Sequence, residues 1–402
     1  MTAGDARPAP AAPDPSWDVV VAGAGPAGAT AACVAARRGL RTLLVDRAAF
    51  PRAKVCGGCL SPAGVRALAQ LGLGRALRRA GVPIQSVLVR ARGRGATLAL
   101  AAGGLAIARA ALDPMLVAAA ADAGAGVRPG TSARLIRIDL NGCDLALTAH
   151  ETETVVRARV AIAADGLGGS FLRGHAGWEP RVPRGSRIGL GAIVDADLAR
   201  GRLYPPPGVV SMCCGPGGYV GMVRLADGTI DVAAAVDPSC LRAAATPGEA
   251  VGAILRQAWG QAWDEDDAAV FSARVRWHGT PTLTRRRMVE RGPVFVVGDA
   301  AGSIEPFTGE GMSWAIRGGM ALAGHVADRL AGRGRSGDWE RCRRRMLAGR
   351  HALGAAVARG LRSPRLTAVV AAAASRAPPL GALARGVFAG PWGRRAPAGG
   401  AA

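Results

Sequence analysis

The sequence predicts an α/β fold: a Rossmann-like dinucleotide-binding domain, interrupted by a β-rich inserted domain and followed by a helical C-terminal tail. Three observations carry this expectation. Gly23-Ala24-Gly25-Pro26-Ala27-Gly28 forms a glycine loop between an apolar strand and a helix of small residues. A second Val-rich strand, 293–297, closes on Gly298-Asp299. Between them, residues 173–286 change texture and hold Tyr204, Tyr219, Trp178, Trp259, Trp263 and Trp277.

Taken in order, residues 1–16 are rich in Ala and Pro and broken by charges. They read as a disordered leader without the apolar core of a signal peptide. Residues 17–21 form a short buried strand, 27–38 a helix closed by Gly39, and 41–45 a strand ending on Asp46. Together these make one βαβ unit. Residues 51–60 are a loop, 62–71 and 74–80 helical pieces, 84–107 alternating β structure and 112–123 a helix. Two or three strands follow over 133–160 with a hairpin at Asn141-Gly142, then a buried strand that ends in Asp165-Gly166. Alternation marks strands around 188–194 and 219–236, and 311–330 is a helix. The expected organisation is a leader (1–16), a nucleotide domain in two parts (17–172 and 287–330), a substrate domain (173–286) and an Arg/Ala-rich helical tail (331–402) that loosens into Pro and Gly after Pro391.

The chain has 402 residues and a formal charge of +22. Such a balance raises nucleic acid or an anionic surface as a partner. Lys54 is the sole lysine among 51 basic residues, so the charge is almost all arginine. The arginines are scattered and only 4% of residues are aromatic, which leaves few platforms for stacking bases and argues against nucleic acid. The densest basic stretch, with Arg341, Arg343, Arg344 and Arg345, suits a solvated helix face or a peripheral contact with anionic lipid. The 8 cysteines sit in a chain too large to need a disulfide framework, so a cytoplasmic setting with reduced thiols is expected. The 5 histidines are scattered without paired spacing, and no metal is expected.

The glycine loop has a physical logic. Gly23 permits the tight turn, Gly25 lets a pyrophosphate approach the backbone, and Gly28 lets helix and strand pack closely; Pro26 and Ala27 open the helix. The phosphates then lie on the positive end of the helix dipole. Asp46, with Arg47 beside it, ends the second strand where ribose hydroxyls are accepted. The loop alone does not separate NAD from FAD.

Three later segments do so by resemblance. Gly298-Asp299-Ala300-Ala301-Gly302 resembles the second FAD fingerprint of the para-hydroxybenzoate-hydroxylase-like flavoproteins, whose aspartate binds the ribityl chain. Asp165-Gly166 with Ser170 and Arg173 resembles their D-G-x-x-S-x-x-R motif with one extra residue before the serine. Arg109 with Leu112-Asp113 resembles their R-x-x-L-D segment, whose arginine lies near the flavin. The resemblance implies FAD as cofactor. Pro306, Gly309, Gly311 and Met312 then belong to a turn and helix start whose amides face the flavin and stabilise its reduced, anionic form.

Residues 51–62, Pro-Arg-Ala-Lys-Val-Cys-Gly-Gly-Cys-Leu-Ser-Pro, resemble the cysteine loop of geranylgeranyl-reductase-like flavoproteins. Lys54 and Cys56 are the candidate reactive groups there. For the Cys56/Cys59 pair three readings stand open: a reactive thiol near the flavin, a purely structural loop, or half of a zinc site. Residues 218–225 occupy the place of a Trp- and Phe-Pro-containing strand in isoprenoid reductases. Here Gly221 stands for the Trp and Val223-Arg224 for the Phe-Pro, which opens the substrate cavity. Tyr219 either polarises a substrate oxygen or is a core residue with a paired hydroxyl. The function this resemblance implies is a FAD-dependent oxidoreductase moving a hydride between flavin and an apolar small molecule, with NAD(P)H as transient donor. A single-component monooxygenase and a non-catalytic basic binding protein are the alternatives.

Overall fold

The computed structural model describes residues 17–198, 201, 203–263, 274–305, 307–360, 362, 363, 365 and 367. The expected leader, Pro306 and the Pro/Gly end of the tail lie outside the described residues. The glycine loop joins β1 (Trp17–Ala22) to α1 (Pro26–Arg37), and β2 (Thr42–Asp46) follows. Pro26 suits its place at the start of α1, because its missing N–H would have had no partner there. Next come β3 (Cys59–Leu60), α2 (Pro62–Gln70), α3 (Gly74–Ala80), β4 (Val82–Ala91), β5 (Arg94–Ala106), α4 (Arg109–Asp122) and β6 (Gly126–Pro129). A meander of β7 (Ser132–Asp139), β8 (Gly142–Ala149) and β9 (Thr152–Ala163) leads to β10 (Ile188–Val194), β11 (Val209–Gly215), β12 (Gly218–Arg224) and β13 (Ile230–Val236). The chain continues through α5 (Pro238–Ala243), α6 (Pro247–Trp259), β14 (His278–Thr282), β15 (Arg285–Arg286), β16 (Glu290–Arg291), β17 (Val294–Val296), β18 (Gly302–Ser303), α7 (Gly311–Leu330) and α8 (Asp338–Gly360).

Two large sheets organise these elements. The first runs β16-β17-β9-β1-β2-β6, with β8 added on β9 and β7 on β8. Its centre is parallel: β1 pairs with β2 and β9, and β17 with β9. These strands are buried on both faces, with α1 packed on β1 and β2 and strand β7 against β2, which is why they read as unbroken apolar runs rather than alternating ones. The carboxyl ends of β1 and β17 therefore place the glycine loop and Gly298-Asp299 at one crevice. Helix α7 lies on α1 so closely that a β-carbon at Gly319 would run into the Ala27 carbonyl.

The second sheet runs β14-β10-β13-β12-β11-β4-β5-β3. It takes β3, β4 and β5 from residues 17–172, so the sequence boundary at 173 does not separate the two sheets. Parallel pairing of β4 with β11 explains this, because it covers an edge that β11 would otherwise expose. β11 itself escaped the sequence reading. It is buried by α6 as well as by the sheet, so its Ser-Met-Cys-Cys core shows no alternation. β6, α5 and α6 were also unread. No helix among the described residues is long and apolar enough to cross a membrane.

Candidate active site

A single cleft runs from the glycine loop, between the two sheets, to the face of the second sheet. At its first end a β-carbon on Gly23 would strike the Ala164 carbonyl, and one on Gly28 the Gly23 carbonyl. Only glycine leaves this turn open to a pyrophosphate. Two guanidinium groups stand over it: a β-carbon on Gly25 would lie 3.4 Å from Arg109 Nη2 and 3.5 Å from Arg52 Nη2. Asp46 accepts the Ala24 amide at 2.7 Å and pairs with Arg52 at 2.8 Å. Arg52 reaches Asp113 at 3.2 Å, and Asp113 holds Arg109 at 2.6 Å across one helical turn. Asp113 is fully buried. Its role in the R-x-x-L-D segment is thus to aim two cations at the loop, an arrangement suited to a diphosphate. Neither Arg52 nor Asp113 stands out in the sequence as a site residue, though both lie inside the motifs described above. Arg47 is exposed on the cleft wall.

Asp165 and Asp299 face the middle of the cleft. One Asp165 oxygen accepts the Phe171 amide at 2.8 Å, while the other is buried without a partner among the described residues. Burial pushes both carboxyls above their ordinary range; Arg109 and Lys54 oppose this at Asp299. The glycine turn with its two guanidinium groups fits the diphosphate of FAD. Ser170 also lines the cleft, whereas Arg173 is exposed away from it.

The cysteine loop closes one side. Cys59 and Leu60 pair with β5 through Ala106 and Leu105, and the Ile107 amide donates to the Gly58 carbonyl at 2.7 Å. Ser61 is tied to Ser313 of α7 at 2.8 Å. Gly309 packs on Cys59, where a β-carbon would lie 3.0 Å from Cys59 Cβ. Gly309, Gly311 and Met312 all reach the cleft wall. Lys54, Cys56 and Cys59 line the cleft, and both thiols are free. Burial pushes both thiols up, so neither is the ready thiolate that a redox nucleophile needs. Desolvation and the nearby Arg109 and Arg52 push the Lys54 ammonium down. Among the described residues, no group of three His, Cys, Asp or Glu side chains could hold a metal.

The far end of the cleft is apolar. Paired residues share one sheet face, and the pairs Gly189↔Ala235 and Gly221↔Ala233 pave a floor of small residues beside Tyr219. Met212, Leu190, Leu283 and Phe307 extend this lining. Tyr219 is 4% exposed, meets Phe307 edge to face at 5.1 Å, and its buried hydroxyl has no partner among the described residues. Helix α8 supplies Trp339, Arg343, Met346 and Leu347, so one face of the basic tail lines the cleft. Of its other arginines, Arg341 pairs with Asp338 and Arg344 with Glu340.

Comparison with known proteins agrees with this geometry. The model of the family described as FAD binding domain matches residues 16–348. A menaquinone reductase of Mycobacterium tuberculosis is 30% identical, over 87% of this chain and 84% of that protein. Digeranylgeranylglycerophospholipid reductase 2 of Methanopyrus kandleri is 27% identical, over 77% of this chain and 76% of its own. Among solved structures, a flavoprotein/dehydrogenase from Cytophaga hutchinsonii superposes with a TM-score of 0.77 at 18% identity, covering 93% of each chain. With a diphosphate-sized cradle at the glycine loop, two carboxyls in the cleft and relatives that are reductases, the chain belongs to the FAD binding domain family and is a FAD-dependent oxidoreductase of the geranylgeranyl-reductase-like group.

Proposed function

We propose that this enzyme saturates a carbon–carbon double bond of an apolar, lipid-like substrate, with NAD(P)H as the transient electron donor. The observation that carries the reading is the apolar hall at the end of the dinucleotide cleft, floored by Gly189, Gly221, Ala233 and Ala235. FAD, when bound, supplies the two electrons as a hydride equivalent. The chain's own residues supply position and protons. Met212, Leu283 and Phe307 offer an apolar bed that excludes water. The unpaired Tyr219 hydroxyl offers a donor to a substrate oxygen, and the Cys56 thiol a proton at the cleft wall. The similarity to menaquinone reductase makes a menaquinone the first substrate to test. Setting the reaction in the cytoplasm, at an anionic membrane surface met by the basic α8, fits an apolar substrate and a chain with a charge of +22.

The test is anaerobic. Flavin bands of the purified protein should bleach with NADPH and return on addition of menaquinone, which keeps a gain of two hydrogens after its ring has been reoxidised to the quinone. A second reading, hydroxylation, draws on the buried Tyr219 hydroxyl, which has no partner among the described residues; at Gly221 the space a side chain would take is filled by Met212. It predicts bleaching stimulated by an aromatic substrate and a product that contains oxygen from the gas phase.

A further inference from the structure

We propose that Asp231 is the positioning acid of the cysteine loop: it stores a proton beneath Gly58 and returns it to the Cys56 thiol after that thiol has protonated the substrate. The proposal rests on the reductive reading above. Asp231 is 6% exposed and makes no hydrogen bond or ion pair among the described residues. Buried carboxyls without a partner are uncommon, because their desolvation goes uncompensated. Register places Asp231 on the same face of β13 as Ala233 and Ala235, the face that floors the hall. It does not itself line the cleft; the cysteine loop lies between. A β-carbon on Gly58 would lie 3.0 Å from Asp231 Oδ2. Gly58 sits between the two cysteines, and Cys56 and Cys59 both line the cleft.

Among the described residues, three charged or titratable groups face this carboxyl. Cys56 and Cys59 come from the loop, and Arg109 from the start of α4. Its cross-strand neighbours, Ile193 of β10 and Val223 of β12, are apolar. Burial, opposed by Arg109, pushes the carboxyl up to about 8, and burial raises the Cys56 thiol above its ordinary 9.0. The carboxyl is thus the stronger acid of the two and is protonated at neutral pH, so transfer from it to a thiolate runs downhill.

Saturating a double bond adds a hydride to one carbon and a proton to its neighbour. Both electrons come from the reduced flavin. The Cys56 S–H bond breaks as the new C–H bond forms, leaving a thiolate. The thiolate takes the Asp231 proton, and the carboxylate takes one from solvent. No other oxidant or reductant enters.

The test uses the flavin-loaded full-length protein, wild type and Asp231→Asn, which mimics the protonated acid in shape. Iodoacetamide labelling of the Cys56 peptide is followed by mass spectrometry from about pH 6 to about pH 10, across the thiol range. Removing the charge that forms on Asp231 should move the labelling midpoint down by about one unit, roughly tenfold more label at pH 8. Menaquinone turnover should fall in kcat with KM kept, and the variant should lose the wild type's decline above about pH 8. Superimposable labelling profiles overturn the proposal, as does an unchanged pH profile of turnover. Loss of flavin from Asp231→Asn makes the residue merely structural and also overturns it. A shifted labelling profile in a wild type that reduces no double bond refutes the reductive reading, and the proton delivery with it, while leaving the Asp231–Cys56 coupling in place.

Discussion

Asp299 sits deep in the cleft with its carboxyl open to a ligand and opposite charges on Arg109 and Lys54 nearby. A hydrogen bond to a charged group contributes about 1.5–3 kcal/mol, so Asp299→Ala should weaken FAD retention roughly tenfold or more. Equilibrium dialysis measures this, and wild-type affinity would remove Asp299 from the flavin site. Cys56→Ser should cost turnover while flavin content stays, read from kcat against the flavin absorbance; a loss of flavin in step with activity would make the loop structural. Asp231 offers a check by stability alone. Its folded carboxyl is raised from 3.8 to about 8, so folding favours the protonated form. That contribution is fully present below about pH 4 and fades as pH climbs to about 8. The urea midpoint of wild type relative to Asp231→Asn should fall across this window and be flat on either side. Asp46, Arg109 and Asp299 were legible from the sequence because each ends or opens an element beside a fixed motif. Asp231 was not, because a single acid in an alternating strand looks like any solvated position until the loop above it is placed.

Two elements join the halves of the nucleotide domain: α1 follows the first strand and α7 follows the last. Their closeness depends on Gly319, whose hydrogen leaves room for the Ala27 carbonyl. Gly319→Val should force the helices apart and lower stability by about 1–3 kcal/mol, with flavin lost at the same time because Ala27 opens the glycine loop. Denaturant unfolding followed by both circular dichroism and flavin fluorescence tests the coupling; separate transitions would contradict it. The pair was predictable as helices from their caps and small residues. Their contact was not, since it joins positions nearly three hundred residues apart. The second sheet shows the same limit: β12 and β13 stood out by alternation, but β11, covered on both faces, carried no periodic signal.

For the whole molecule, the charge of +22 is a field more than a set of contacts. The protein should sediment with anionic vesicles at low salt and be released as ionic strength rises, since screening shortens the reach of exposed arginines. Binding to neutral vesicles with equal strength would point to apolar insertion instead. Composition revealed the charge but not its arrangement: Arg343 turns into the cleft, while Arg341 and Arg344 are neutralised by acids on their own helix.

The cysteine loop is fastened by β5 on one side and by Ser313 of α7 on the other. Ser61 and Ser313 are 252 positions apart. Closing so long a loop carries a large entropic cost, so this contact is a slow one to form. During synthesis the amino-terminal portion emerges first, with its glycine turn ready but its reactive wall still missing. The flavin can therefore be gripped in full only once α7 has left the ribosome. Until then the growing chain holds a half-built pocket, its cysteine loop fastened to β5 alone.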